Sequence, residues 1–275
     1  MIVNGERLAT GHCVLATGHS ARDVYHMLHE SHVPLAAKAF AVGVRIEVPQ
    51  SQIDRSQFGP DAGHPRLGPA DFHLTRREES DVRACYTFCM CPGGQVIACS
   101  ASARELTTNG MSLSHRAGPR GNAAFLVPVR PEDYGGDADP IAGIAWQQAI
   151  EAKAFAAGGG DYSLPAASLE DFIARRESVS LPPERSCLRS VPADLHGIVP
   201  AFVSDTLVHA VPRMLGKLAA VRLADGVVYA AETRSSSPVR IVRADDFQSP
   251  GCPSRKLRPA YSTSTYERCP AGWPT

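Results

Sequence analysis

No apolar run in this chain approaches the length of a membrane-crossing helix, about 20 residues, because Gly, Pro or a charge interrupts each one. No membrane partner is expected. Excess charge of either sign is also lacking, with 28 Lys plus Arg against 28 Asp plus Glu, so nothing in the whole-chain balance draws it to nucleic acid. The opening "MIVNGERLATGHCVLATG" has neither the basic head nor the apolar stretch of a secretory signal. A cytoplasmic location follows as an expectation, and with it eight cysteines present as free thiols rather than as a disulfide framework. The redox spacing C-x-x-C is missing, and so are the paired knuckles of common zinc sites. No metal is expected.

What is present reads as alternating strands and helices. "HCVLAT", His12 to Thr17, has the composition of a strand, and "GHSARDVYHMLHE" follows with helical spacing at Val24, Met27 and Leu28. Ser20 and Asp23 have the spacing of a capping box at that helix start. A strand, a Thr17-Gly18-His19 turn and a helix N-terminus suit an anion or a cofactor, and they also describe an ordinary connection. "AFAVGVRIEV", Ala39 to Val48, alternates as a strand does, and Arg45 within it is either a solvent-facing charge or a ligand contact. The Gly- and Pro-rich residues 49–70 read as loop. Strand-like runs recur at "ACYTF", "GQVIACS", "ELTTNGMS" and "AAFLVPV", which predicts a small antiparallel sheet or partial barrel.

After Pro140, Ile141, Ile144, Ala145, Ala149, Ala152, Phe155 and Ala156 fall on one helical face, and Gly158-Gly159-Gly160 ends the helix. A second helix is expected from about Pro200 until Pro212 disturbs it. Strands return at "GVVYAAETR" and "SPVRIV". The Pro-rich residues 251–275 do not look like part of a packed fold.

Half of the cysteines lie in "CYTFCMCPGGQVIAC", Cys85 to Cys99. Four thiolates suggest metal, but C-x3-C, C-x-C and C-x7-C are not the spacings of zinc knuckles. In an extended segment, alternate residues sit about 6.5 Å apart, which disfavours a Cys89 to Cys91 disulfide. Cys85 and Cys99 read as small buried hydrophobes in a strand pair turned by Pro92-Gly93-Gly94. Cys89 and Cys91 border a Gly-Gly turn where backbone can come close to a flat ligand.

Several of these segments, in this order, resemble a known group. "VLATGHSARDVYHMLH", "AKAFAVGVRIEVPQSQID", "LGPADFHLT", "YTFCMCPGGQV", "TNGMS", "EAKAFAAGGGDY" and "ETRSSSPVRI" are similar to segments of the uncharacterised bacterial FAD-dependent dehydrogenases. The resemblance covers roughly residues 14–249. It implies a mixed α/β (α+β) fold, in which a partial Rossmann-like FAD-binding domain is interrupted by an inserted domain of antiparallel strands and helices. Residues 1–33 would be a remnant of the FAD domain. Residues 34–223 would be the inserted substrate domain, with strands over 39–130 and helices over 141–217. Residues 224–249 would return to the FAD domain, and 250–275 would be an irregular tail.

The resemblance also implies a set of residues near FAD. Thr17, Gly18, His19 and Ser20 would lie by the cofactor. Thr233, Arg234, Ser236, Ser237, Pro238 and Arg240 would line the flavin or substrate side, and Cys91, Pro92, Gly93, Gly94, Asn109, Gly110 and Met111 would face the same cleft. The implied chemistry is hydride or electron transfer between flavin and a small molecule whose identity the resemblance does not give. Arg234 and Arg240 are fork donors for an anion or ordinary solvated charges. His19 is a proton donor or a turn residue.

Against that pattern the chain holds no G-x-G-x-x-G turn for a pyrophosphate, since Gly158-Gly159-Gly160 follows a helix rather than opening one. The expectation is an incomplete chain, lacking the dinucleotide motif and the Gly-rich flavin segment, with residues from about Pro250 read out of frame. Weak or no FAD binding by this chain alone follows, and a partner chain could complete the FAD domain. The rival readings are a non-catalytic binding module derived from the inserted domain, and a thiolate metal protein.

Overall fold

The computed structural model describes residues 2–9, 13–79, 82–245, 248–250 and 257–259. In chain order they form β1 (Ile2–Val3), β2 (Glu6–Arg7), β3 (Cys13–Leu15), α1 (Arg22–Glu30), β4 (Leu35–Ala37), β5 (Phe40–Pro49), α2 (Gln50–Phe58) and β6 (Thr75–Arg76). Then come β7 (Cys85–Cys91), β8 (Gly94–Cys99), β9 (Thr107–Ser112), β10 (Arg120–Val129), α3 (Ala142–Ala157), β11 (Leu164–Ser168) and α4 (Leu169–Ile173). The rest are β12 (Ser190–Pro192), α5 (Ala201–Leu215), β13 (Val227–Glu232), β14 (Val239–Ile241) and β15 (Leu257–Pro259). The fold is mixed α/β, of the α+β kind, as the sequence implies.

The chain divides into two compact units: residues 1–40, 130–146 and 236–275 form the first, and 41–129 with 147–235 the second. The unit changes after Phe40 and again after Ser235. The stretch 130–146 joins the first unit although it sits between two segments of the second.

In the first unit, β14 pairs antiparallel with β4, placing Arg240 opposite Ala36. Tyr25, Ile144 and Val239 form its buried centre, with Leu35, Ile141 and Ile241 packed against them. Phe40, Tyr134 and Trp146 make an aromatic group whose ring centroids lie 5.4 to 6.4 Å apart. Helix α1 begins at Arg22 after Ala21, which makes no side-chain cap bond. The predicted Ser20/Asp23 capping box is therefore corrected: the start lies one residue further on, and Ser20 is outside the N-cap position. β3 is short and pairs in parallel with β15. That places residues 257–259 in a strand, where the sequence predicted irregular chain; the other tail residues, from 251, lie outside the described residues, as does the reading of His12.

In the second unit, a seven-stranded sheet runs β12-β11-β13-β5-β10-β7-β6. It is mixed, because β11 and β12 are parallel while β11/β13, β13/β5, β10/β7 and β6/β7 are antiparallel. A separate antiparallel pair, β8 with β9, carries Gly94 opposite Ser112 and Val96 opposite Gly110. The expected pairing of "CYTFCMC" with "QVIACS" is thus corrected. Pro92 and Gly93 connect the two strands, but they turn the chain out of one sheet into another: β7 pairs with β6 and β10, and β8 pairs with β9, the next strand.

Strand β5 is central, and both of its faces are buried. Its alternating pattern therefore does not mark a wet face. Gly43 is needed there, because a Cβ would lie 1.8 Å from the Phe125 carbonyl oxygen. Helix α5 runs through Pro212 to Leu215 rather than stopping at it. Proline removes one N–H from the helix, and burial of Leu207, Ala210, Val211, Met214 and Leu215 on one side holds the last turn in place. Among the described residues no helix is long and apolar enough to cross a membrane.

Helix α3 ends at the predicted glycines, with Gly159 and Gly160 at φ of 91° and 76°. The predicted face is buried at Ile144 and half-buried at Ile141 and Phe155, but not at its alanines. Ala145, Ala149, Ala152 and Ala156 are exposed, while Gln147, Ile150, Glu151 and Ala154 are buried. Alanine gains little by burial, and the helix turns instead to bring two polar side chains inward, for the reason given next.

Candidate functional site

The second unit is organised around two arginine-carboxylate assemblies joined by β9. The first is centred on Arg45 of β5, whose side chain is 0% exposed. Taking a guanidinium out of water costs several kcal/mol, and the fold offsets this by giving every N–H of the fork an acceptor. Nε donates to Glu232 Oε2 at 2.9 Å and Nη2 to Glu232 Oε1 at 3.0 Å. Nη1 donates to Asn122 Oδ1 at 2.8 Å and to the Cys89 carbonyl at 3.3 Å. Nη2 also reaches Asn109 Oδ1 at 3.4 Å. Burial works against the charged form, but the Glu232 charge and hydrogen bonds outweigh it and hold Arg45 above the usual arginine range. Glu232 in turn accepts from the Thr108 hydroxyl at 2.9 Å.

Arg45 is therefore neither of the two things its sequence context offered, a solvated charge or a free ligand contact. Its fork is spent inside the unit. Gly110 makes room for it: a Cβ at that position would lie 2.2 Å from Asn122 Oδ1, 2.3 Å from Arg45 Nη1 and 2.9 Å from Cys91 Sγ. Gly110→Ala is expected to lower stability by about 2 kcal/mol, because these side-chain atoms are fixed by one another and cannot move aside independently. A denaturant midpoint for Gly110→Ala equal to the parent's would contradict this.

The second assembly is centred on Glu151 of α3, whose side chain is also 0% exposed. It accepts from Thr233 Oγ1 at 2.7 Å, Arg234 Nε at 3.0 Å and Arg234 Nη2 at 2.7 Å. Arg234 Nη2 further contacts Glu105 Oε2 at 3.4 Å, and Gln148 donates to Glu105 Oε1 at 2.7 Å. Gln147 donates to the Thr233 carbonyl at 2.9 Å. These bonds explain the orientation of α3. Thr107 bridges the assemblies, donating to the Ala231 carbonyl at 2.7 Å and lying 3.2 Å from Thr233 Oγ1, while its neighbour Thr108 serves Glu232.

Beside Arg45 lies the cysteine segment. In the pairing of β7 with β10, Cys91 faces Asn122 and Phe88 faces Ala124, so Cys89 and Met90 together oppose the single residue Ala123. This is a β-bulge, with Cys89 at φ of 50°. The strand is therefore not extended at this point, which removes the basis of the sequence argument from strand spacing. Cys89 is exposed and Cys91 buried, and Cys91 Sγ donates to the Cys89 carbonyl at 3.4 Å.

Interaction with the neighbouring Cys91 thiol lowers the Cys89 thiol to about 6, with the Arg45 charge aiding and partial burial opposing. The same interaction raises Cys91, and burial adds to it. Cys85, a core residue, is pushed up to about 12 by burial, and burial also raises Cys99. Lowering means that the Cys89 thiolate is populated above about pH 6 and lost below it. Its rate of alkylation by iodoacetamide is expected to rise through pH 6 and level off before pH 8, as located by peptide mass spectrometry; a rate still climbing through pH 9 would contradict this.

The remaining predicted residues fall in two places. In the second unit, Pro92 accepts from the Ser112 hydroxyl through its carbonyl at 2.8 Å. Gly93 N donates to Gln50 Oε1 at 2.8 Å, and a Cβ on Gly93 would lie 1.8 Å from the Arg116 carbonyl oxygen. A Cβ on Gly94 would meet the Met111 carbonyl oxygen at 2.5 Å. These glycines thus allow close approach of the chain to itself. The Met111 side chain is 62% exposed.

In the first unit, Thr17, Gly18 and Ser20 are exposed and His19 half-buried, and nothing lies within 4 Å of a Cβ built on Gly18, whose φ is 75°. Ser237 is buried and donates to the Val239 carbonyl at 2.8 Å. Pro238 is buried and its carbonyl accepts from Lys38 N at 2.8 Å. Ser236 is half-buried and Arg240 exposed.

The structure therefore gathers Cys91, Asn109 and Gly110 around Arg45, and Thr233 and Arg234 around Glu151. Sequence reasoning missed Asn122, Glu232, Glu151 and Glu105. The available signal was charge in otherwise apolar runs, such as Arg45 and Glu47 in "VGVRIEV" and Glu232 in "VVYAAET".

Residues 39–235, the span that holds both assemblies, match the family model described as FAD-dependent protein, C-terminal domain-like. The chain belongs to that family. An uncharacterised protein of Clostridium beijerinckii is 38% identical over 254 residues, which make up 90% of this chain and 47% of that protein. The chain spans about half the length of that curated relative.

FAD-dependent family membership raises the question of what these residues can hold. A pyrophosphate needs unspent cationic forks or a Gly-rich turn opening a helix. Arg45 and Arg234 are each neutralised by carboxylates of the same unit, and the sequence has no G-x-G-x-x-G turn. The described residues do not fit a complete FAD site. Among them, no group of three or more His, Cys, Asp or Glu side chains could hold a metal ion.

Proposed function

We propose that this chain is the substrate-side portion of an FAD-dependent oxidoreductase, whose flavin phosphates are held by residues other than these 275. The single observation that carries the proposal is the family match over residues 39–235. The internal neutralisation of Arg45 and Arg234 supports its second half, because both cations are spent on shaping the unit. In this reading the second unit is a rigid frame that presents the Cys89 bulge, Asn109 and Met111. Thr17, Gly18 and Arg240 are exposed in the first unit, and with His19 and Ser20 they would contact a flavin or its partner domain. The intact oxidoreductase would pass a hydride or electrons between flavin and a small molecule, and this chain alone would be catalytically silent.

The test compares this chain with the longer Clostridium beijerinckii relative after identical purification. The relative is expected to carry a flavin absorbance band and this chain none. A near-stoichiometric flavin band on this chain, or a relative that binds no flavin when FAD is supplied, would overturn the proposal.

A further inference from the structure

We infer that Cys89 and Cys91 form a dithiol site that exchanges electrons with a disulfide substrate, Cys89 being the attacking sulfur and Cys91 the resolving one. The inference goes beyond the flavin reading and needs no flavin.

Four features of the bulge carry it. Division of labour comes first: Cys89 is exposed and Cys91 buried, so an incoming disulfide meets one sulfur while the other is kept behind it. Proximity is next. The bulge and the left-handed Cys89 backbone fold the segment back, so that Cys91 Sγ lies 3.4 Å from the Cys89 carbonyl. Third is a fixed cation. Arg45 places Nη1 3.3 Å from the Cys89 carbonyl, and its charge acts on both sulfurs.

The fourth is an unspent donor. Asn122, 0% exposed, gives its Oδ1 to Arg45, while its Nδ2 is buried with no hydrogen-bond partner. Leaving such a donor unpaired costs about 1–3 kcal/mol. Asn122 sits opposite Cys91 in the strand register, and Asn122 Oδ1, Arg45 Nη1 and Cys91 Sγ all crowd the space over Gly110. A guanidinium close to Cys91 Sγ, and an unpaired amide N–H on the residue that opposes Cys91, are suited to sulfur that carries negative charge during exchange.

The exchange has two steps. The Cys89 thiolate attacks one sulfur of R–S–S–R, forming Cys89–S–S–R and expelling R–S⁻, which takes a proton from water. The Cys91 thiol then loses its proton to solvent, and its sulfur attacks that of Cys89, forming the Cys89–Cys91 bond and expelling the second R–S⁻. Two electrons pass from the dithiol to the disulfide, which leaves as two thiols. The order of events follows from exposure: an incoming disulfide reaches Cys89 first, and Cys91, buried behind it, is the sulfur left to resolve the mixed disulfide.

The test uses the full reduced chain with glutathione disulfide as the probe, followed by alkylation and peptide mass spectrometry. The parent is expected to form a Cys89–Cys91 disulfide and to release two glutathiones per chain. Cys91→Ser is expected to stop with glutathione on Cys89, and Cys89→Ser to leave Cys91 unmodified over the same period. The inference is overturned if the parent keeps both thiols free, or if Cys91→Ser takes no glutathione on Cys89. It is also overturned if Cys89→Ser loads Cys91 as fast as Cys91→Ser loads Cys89. Localising the parent's disulfide requires no variant to fold. FAD is absent throughout, so this result and the flavin comparison stand or fall separately.

Discussion

Glu232→Gln is expected to destabilise the second unit by about 3–5 kcal/mol. The substitution keeps the shape of the side chain and removes its charge, leaving the Arg45 guanidinium 0% exposed without a counter-ion. Asn122, Asn109 and the Cys89 carbonyl remain as acceptors, but all are neutral, and they cannot repay the desolvation of a full charge. Thr108 retains an amide oxygen to donate to, so its hydroxyl contributes little to the loss. The denaturant midpoint, followed by far-UV circular dichroism, should fall with little change in slope. Adding Arg45→Met should recover about 2 kcal/mol relative to the sum of the two single losses, because no unpaired charge is then left. Strict additivity would mean that the pair is not the organising contact.

Glu151→Ala is expected to cost about 3–4 kcal/mol, by the same rule for a broken buried pair. Here the loss spreads further, since the carboxylate holds Thr233 Oγ1 and two nitrogens of Arg234. Arg234 still has Glu105, 3.4 Å away, and its side chain is 13% exposed, so water reaches part of the fork. That partial access is why the expected cost does not exceed that of Glu232→Gln. Glu151→Gln should cost less than Glu151→Ala, because an amide oxygen can still accept from Thr233. Equal losses in the two variants would place the contribution in packing rather than in the ion pair.

These effects could not be read from local pattern. Arg45 stands in "VGVRIEV", where alternation suggests one wet face, yet its partner Glu232 lies 187 residues further along the chain. A strand buried on both faces reads much like one that is half buried when its polar residues are paired out of sight. Helix α3 shows the same limit from the other side. Its end was legible, because Gly159 and Gly160 supply the left-handed conformations that stop a helix. Its inward face was not, because four small alanines mimic an apolar stripe while Gln147 and Glu151 hold the distant Thr233 and Arg234.

Membership of an FAD-dependent family was legible from separated motifs, and the match over residues 39–235 bears it out. The cysteine segment was legible as strand, but its two-residue bulge was not, because register against β10 is fixed by tertiary pairing. "ETRSSSPVRI" reads as one motif in sequence, whereas Glu232 to Ser235 belong to the second compact unit and Ser236 onward to the first.

The proposal that this chain does not anchor FAD unaided rests on Arg45 and Arg234 being spent on Glu232, Glu151 and Glu105. Thermal unfolding of the full chain with and without FAD tests it most directly. Binding at a free FAD concentration of about 100 Kd would stabilise the native chain by about 2.7 kcal/mol. The account predicts an unchanged midpoint across an FAD titration; a midpoint that rises with FAD and saturates would contradict it.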